Sequence, residues 1–256
     1  MRPHPPVRSA DVMAQAGIGV RIGSVVVTPE GLLLACAMCV FLLASYGRVR
    51  DATGWSGAAA GVTLAWVSLC GVAGAAVYGI PGTLAAAQQP DGLPFAAGVA
   101  FGSFGGYWGV LLGGLAAAWT RGAAPLPLLD ALAPGILLGG LVARAAVLFA
   151  TDAPLSLSPF ALWSIADMAA HAALFAGVLT AERRSFRHGF PLIAFLAGYG
   201  VLRFALEFFR ADAILWAGFT WGHHMSVAQT IVGCILFAAI MRRGGRGRAD
   251  YASFRQ

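Results

Sequence analysis

Arg203, Glu207 and Arg210 stand at i, i+4 and i+7 in the segment YGVLRFALEFFRAD, residues 199–212, so in a helix all three project from one face and can pair along it. The rest of that segment is apolar. Two other apolar stretches also carry charge: Arg144 ends DALAPGILLGGLVAR, and Asp167 and His171 lie four residues apart within 161–181. Burying an ion near the centre of a bilayer costs at least about 2.5 kcal/mol on insertion scales, so each of these groups is a candidate for function. The planar guanidinium binds phosphate in a two-pronged way, and Arg144 with Arg203 facing one cavity would suit an anionic ligand. Asp167 could orient the His171 imidazole for proton transfer. Gln229 could donate to a carbonyl or phosphate oxygen. The plainer alternative is that Arg203 and Glu207 neutralise one another while Arg144 pairs with Asp167 across helices.

The elements that must position these groups follow from composition. Of 256 residues 59% are hydrophobic and 11% charged, against about one-quarter charged in soluble domains, which describes a polytopic membrane protein. The net charge of +6 comes entirely from arginine, in loops and in the tail, and no aromatic-interleaved basic patch or RNA-binding motif accompanies it. A membrane surface explains that charge and nucleic acid is not expected as a partner. Cys36, Cys39, Cys70 and Cys234 all lie in apolar segments and read as small buried hydrophobes; the CxxC spacing of the first two lacks a second ligand pair. His223 and His224 read as interfacial polar residues, since no third ligand at suitable spacing accompanies them.

Windows near the roughly 20 apolar residues that a spanning helix needs fall at 30–47, 57–79, 97–119, 130–150, 161–181, 190–209 and 225–241. This predicts an all-α fold with seven transmembrane helices in one domain, residues 22–243, after a leader over 1–21 and before a basic tail over 244–256. Arginines follow the first, third, fifth and seventh windows, whereas the loops at 80–96 and 151–160 contain none. The positive-inside rule then puts the N-terminus outside and the C-terminus in the cytoplasm. A short interfacial helix, Leu84 to Gln88, is expected within the loop 80–96.

On that topology Arg144, Asp167, His171, Arg203, Glu207 and Arg210 all fall in the outer half of the bilayer, which points to a shared polar cavity opening to the extracytoplasmic side. A phospholipid headgroup is the natural anion at that depth. Glycines crowd the third and fourth windows, where small residues permit close helix approach. Gly105 and Gly106 carry a second expectation, room for a lipid headgroup or glycerol backbone.

The segment YGVLRFALEFFRAD followed by MSVAQ resembles the C-terminal signature of the bacterial prolipoprotein diacylglyceryl transferases. DALAPGILLGGLVAR is similar to that family's run leading to its motif arginine, GSFGGYWGVLLGG to the stretch around its histidine-glycine-glycine motif, SPFALW to an outer-loop element, and IGSVVVTPEG to its opening. The resemblance runs in order from about Ile22 to Arg243. It implies a seven-span enzyme of the bacterial inner membrane that moves the diacylglyceryl group of phosphatidylglycerol to the thiol of a lipobox cysteine in a prolipoprotein. No metal or nucleotide cofactor is implied. Carried over, Arg144 and Arg203 match the family's arginines of the fourth and sixth spans, Tyr199, Glu207 and Arg210 complete the sixth-span pattern, and Gln229 matches the seventh-span glutamine. These positions imply a phosphate neutralised by an arginine pair as a thiolate attacks the glycerol carbon.

The chain departs from the family pattern at Phe104, where a histidine is expected, at Ala146 and Val147 in place of glycine and asparagine, and at Ser158, Ala161, Trp163 and Ser164 in the outer-loop element. The arginine expected early in the second span is missing from GVAGAAVYG. Two readings remain open. In one, His171 held by Asp167 replaces the lost base and the chain is a transferase; in the other it is a phospholipid-binding paralogue without the chemistry. A small-molecule transporter fits less well, because no matched pair of broken helices or internal repeat appears.

Overall fold

The structure is a computed structural model that describes residues 20–22, 25–27, 29–87, 103–149, 159–184, 188–209, 214–216 and 218–242. Seven long helices dominate it: α1 (Pro29–Thr53), α2 (Gly57–Ala87), α3 (Ser103–Arg121), α4 (Pro125–Phe149), α5 (Pro159–Arg184), α6 (Phe190–Glu207) and α7 (Trp221–Arg242). Proline opens α1, α4 and α5, where its missing N–H costs nothing. Gly54 and Gly122 end α1 and α3 in the left-handed region, at φ 69° and 66°.

Six of the seven helices are long and apolar enough to cross a membrane; among the described residues α3 is not. Six of the seven expected spans thus meet that measure, and the predicted start of the third, 97–102, lies outside the described residues. The reason is compositional. Five glycines with Ser103, Tyr107 and Thr120 dilute the apolarity of α3, and its buried residues include Phe104, Tyr107 and Leu111, so it is an inner helix. A correction concerns Leu84 to Gln88: α2 runs unbroken through Pro81 to Ala87, so no separate interfacial helix forms there. One lost backbone bond does not end a helix in apolar surroundings.

Two short antiparallel hairpins add to the all-α expectation. β1 (Val20–Ile22) pairs with β2 (Val25–Val27), and β3 (Ile214–Trp216) pairs with β4 (Phe219–Thr220) around Gly218. β1 begins inside the stretch read as a leader. Its β-branched residues are too few to stand out against the helical signal.

α4 is the hub, packing on α1, α3, α5 and α6. Its Gly139 would place a Cβ 3.0 Å from the Ala37 carbonyl oxygen, so only glycine lets α1 approach this closely. α2 and α3 meet in the same way, with Gly74 and Gly109 against Gly105 and the Cys70 carbonyl. In lipid such backbone contact replaces a hydrophobic driving force between helices. Cys36, Cys39 and Cys234 correct the buried reading: they lie on the exposed face of the bundle and Cys70 is half-buried.

Asp130 on α4 accepts the backbone N–H groups of Gly189, at 2.5 Å, and Leu192, at 2.9 Å, and so caps α6, whose own N-cap position has no side-chain cap. At the same end Arg48 pairs with Glu182, joining α1 to α5, and Arg121 lies 5.5 Å from the Trp55 ring. The arginine-bearing ends of α1, α3 and α5 thus share one side of the bundle. Arg144 of α4, Asp167 and His171 of α5, and Arg203 and Glu207 of α6 lie toward the other end of those helices.

Candidate functional site

Asp167 is the centre of the site. Its Oδ2 lies 2.9 Å from Arg144 Nε and 3.6 Å from Arg203 Nη1, so guanidinium groups from α4 and α6 converge on one carboxylate oxygen of α5. Arg203 Nη2 pairs with Glu207 Oε2 at 2.9 Å, one turn along the same helix. Both pairings of the plainer sequence reading are therefore present, and they are joined into one network. Two arginines and two carboxylates leave the buried cluster without net charge when His171 is neutral.

Each charge is held from a second direction. Arg144 Nη2 donates to Ser103 Oγ at 2.7 Å, and Ser103 Oγ is 3.1 Å from the Tyr199 hydroxyl. The Arg203 guanidinium carbon lies 5.2 Å from the ring centre of Trp163, whose Nε1 donates to the Leu206 carbonyl at 3.1 Å. Glu207 Oε1 accepts from Thr220 Oγ1 at 3.0 Å, and a side chain on Gly222 would overlap its carboxylate. Glu207 thereby sits at the N-terminal end of α7, where the helix dipole favours an anion.

His171 is 2% exposed, and both ring nitrogens are engaged. Nδ1 lies 2.8 Å from the Asp167 backbone oxygen and 3.2 Å from Oδ1, while Nε2 is 2.9 Å from the Tyr107 hydroxyl. Sequence reasoning missed Tyr107, Ser103 and Thr220. They are uncharged, and nothing in their spacing separates them from packing residues. His223, read as interfacial, is instead buried, with the Thr220 backbone N–H donating to its Nδ1 at 3.2 Å.

The remaining candidates fall as follows. Tyr199 is buried with its ring against Phe104, Tyr107 and His171 at 5.4, 4.9 and 5.4 Å. Gly105 faces the Gly74 carbonyl and Tyr78, and Gly106 faces Ala75 and Gly71, so the space both leave open is filled by α2. Phe104 is buried between Tyr78 and Tyr199. Among the described residues buried Gln229 has no hydrogen-bond partner for either amide atom, and Arg203 Nε and Nη1 have no hydrogen-bond acceptor. Arg210 and Ser158 lie outside the described residues, as do the side chains of Ala146, Val147 and Ala161.

A crevice too narrow to hold a water molecule runs along the seam of α5 and α6. Asp167, His171, Tyr199 and Arg203 line it together with Ala170, Leu174, Leu202 and Leu206. Apolar side chains line its mouth and the charged groups lie at its inner edge, so a lipid would have to part α5 and α6 to reach them. Chemically, the arrangement can bind a phosphate, stabilise charge on a departing oxygen and take up a proton at His171.

The family model described as prolipoprotein diacylglyceryl transferase matches residues 18–239. A phosphatidylglycerol--prolipoprotein diacylglyceryl transferase of Paramagnetospirillum magneticum is 50% identical over 56 residues, a match that covers 20% of this chain and 21% of that relative's length.

Proposed function

Because the chain belongs to the prolipoprotein diacylglyceryl transferase family, a family of membrane-embedded transferases of lipoprotein biosynthesis, we propose that it transfers the diacylglyceryl group of phosphatidylglycerol to a lipobox cysteine thiol. The observation that carries this reading is the convergence of Arg144 and Arg203 on Asp167 Oδ2, with Arg203 Nε and Nη1 finding no hydrogen-bond acceptor among the described residues. A buried donor without a partner costs about 1–3 kcal/mol, which a substrate oxygen would offset.

In this reading the lipid phosphate takes the unused donors of Arg203 and draws Arg144 from Asp167, and Gln229 offers its amide to a carbonyl or phosphate oxygen. Tyr199 and Glu207 hold the arginines in place, with Arg210 beyond them. His171, oriented by Asp167, is the base of the site. The sulfur forms its bond to the glycerol carbon, the carbon–oxygen bond to phosphate breaks, and glycerol phosphate leaves with the electron pair, its charge balanced by the two guanidinium groups.

The arginine-bearing helix ends are assigned to the cytoplasmic side of a bacterial inner membrane, with the N-terminus outside, the C-terminus inside and the site toward the outer leaflet. Residues 22–243 form the catalytic domain between the leader and the basic tail. A prolipoprotein signal peptide is the protein partner.

Reconstitution into phosphatidylglycerol vesicles with a lipobox peptide tests the reaction. Glycerol phosphate released together with a diacylglyceryl thioether on the peptide is the expected result. A second reading draws on the internal neutralisation of both arginines: a protein that holds an anionic phospholipid without turning it over. Lipid retained through purification with no glycerol phosphate released would select it.

A further inference from the structure

The hydrogen bonds around His171 fix its protonation and leave it no free nitrogen. Nδ1 faces two acceptors, the Asp167 backbone oxygen at 2.8 Å and the carboxylate Oδ1 at 3.2 Å, so in the neutral ring Nδ1 carries the proton. Nε2 is therefore an acceptor, and the Tyr107 O–H, 2.9 Å away, donates to it. A carboxylate, an imidazole and a hydroxyl stand in the order that activates a nucleophile in hydrolases, here with a phenol in the outermost place. A substrate proton cannot reach Nε2 directly, because the phenol occupies it. The phenol oxygen keeps its own lone pairs.

We infer that Tyr107 is a catalytic residue of this site, the group that takes the proton of the acceptor thiol while passing its own proton to His171. The inference rests on the transferase reading above. In the step, the S–H proton moves to the Tyr107 oxygen, the Tyr107 proton moves to His171 Nε2, and the imidazolium is balanced by Asp167. The thiolate then attacks the glycerol carbon and the electron pair of the broken C–O bond leaves on the phosphate. The imidazolium proton returns through the phenol to the glycerol phosphate.

Tyr107 is buried and held on several sides. Its ring is braced edge-on by Phe195 and Tyr199 at 5.7 and 4.9 Å, and a side chain on Gly140 of α4 would overlap the hydroxyl. The charged and titratable groups that face it are Arg144 on α4, Asp167 and His171 on α5, and Tyr199 and Arg203 on α6. Burial, Tyr199 and the Asp167 carboxylate oppose negative charge on the phenol oxygen and Arg144 and Arg203 favour it, so the proton must be passed on to His171 as the new one arrives.

The test is the pH profile of glycerol phosphate release in phosphatidylglycerol vesicles with a lipobox peptide, for the unaltered chain, Tyr107→Phe and His171→Asn. Loss of the relay lowers release about 100-fold or more at pH 7. At pH 9.5, above the free thiol's pKa of about 8.5, the peptide supplies its own thiolate and both variants recover to within about tenfold of the unaltered chain. Copurified phosphatidylglycerol stays at the unaltered level in both. Equal losses at pH 7 and pH 9.5, or unimpaired Tyr107→Phe at pH 7 beside an active unaltered chain, overturn the relay alone. No release by the unaltered chain at either pH overturns the transferase reading and the relay with it.

Discussion

Arg144 and Arg203 come from different helices and reach the same atom, Oδ2 of Asp167, at 2.9 and 3.6 Å. Charges of one sign meet at that spacing only where an anion joins them, and here a protein carboxylate does so. The site is thus organised around an anion position that Asp167 occupies and a substrate phosphate can share.

Removing that carboxylate separates its two roles. Asp167→Ala leaves Arg144 short of its counter-charge, and loss of one partner of a buried pair costs about 3–5 kcal/mol. The thermal-unfolding midpoint in detergent falls, and turnover is lost with it. Asp167→Asn keeps the volume and a side-chain oxygen that can still accept from Arg144, so it unfolds at a higher temperature than Asp167→Ala yet remains as inactive.

Gln229 makes a prediction of opposite sign. Its buried amide finds no hydrogen-bond partner among the described residues, so Gln229→Leu removes a desolvated polar group at little or no loss of stability. The account expects an unchanged or higher unfolding midpoint together with weaker retention of phosphatidylglycerol through purification. An unchanged lipid content would remove Gln229 from the site.

Gly105 and Gly106, adjacent on α3, are not equivalent. A Cβ on Gly105 would overlap the Gly74 carbonyl, whereas one on Gly106 would meet Ala75 Cβ at 3.6 Å and the Gly71 oxygen at 3.7 Å, ordinary contacts. Gly105→Ala therefore forces α2 and α3 apart, with a loss of about 1–3 kcal/mol. Gly106→Ala is close to neutral. Melting curves of the two purified variants compare them directly.

The cap on α6 lies at the far end of the bundle and gives a control. Asp130→Ala frees two backbone N–H groups and lowers stability by about 1–2 kcal/mol, the usual cost of a lost cap. Glycerol phosphate release per folded molecule is expected to stay unchanged.

What the sequence made legible were relationships within one helix or between unlike charges. Arg203 with Glu207 and Asp167 with His171 are four residues apart, and helical spacing alone predicts each contact. The meeting of Arg144 and Asp167 followed from charge, since a buried arginine in lipid needs an anion. Tyr107 and Ser103 were illegible because an uncharged hydroxyl in a glycine-rich helix reads as packing, and their partners come from α4, α5 and α6. Among the described residues α3 falls short of a span's apolarity because its glycines and hydroxyl groups dilute it, which the wider window over 97–119 did not reveal. His223 was misread because a histidine at a helix start looks like a surface residue until Thr220 and Phe208 are seen to enclose it.

The pairing of Arg144 and Arg203 over one phosphate is tested most directly by asking whether the chain rescues a bacterium depleted of its own lipoprotein diacylglyceryl transferase, with the lipoproteins followed by mass. The unaltered chain is predicted to restore growth and the diacylglyceryl mass increment, and Arg144→Ala and Arg203→Ala, expressed to the same level, to restore neither. Rescue by either alanine variant would contradict the account.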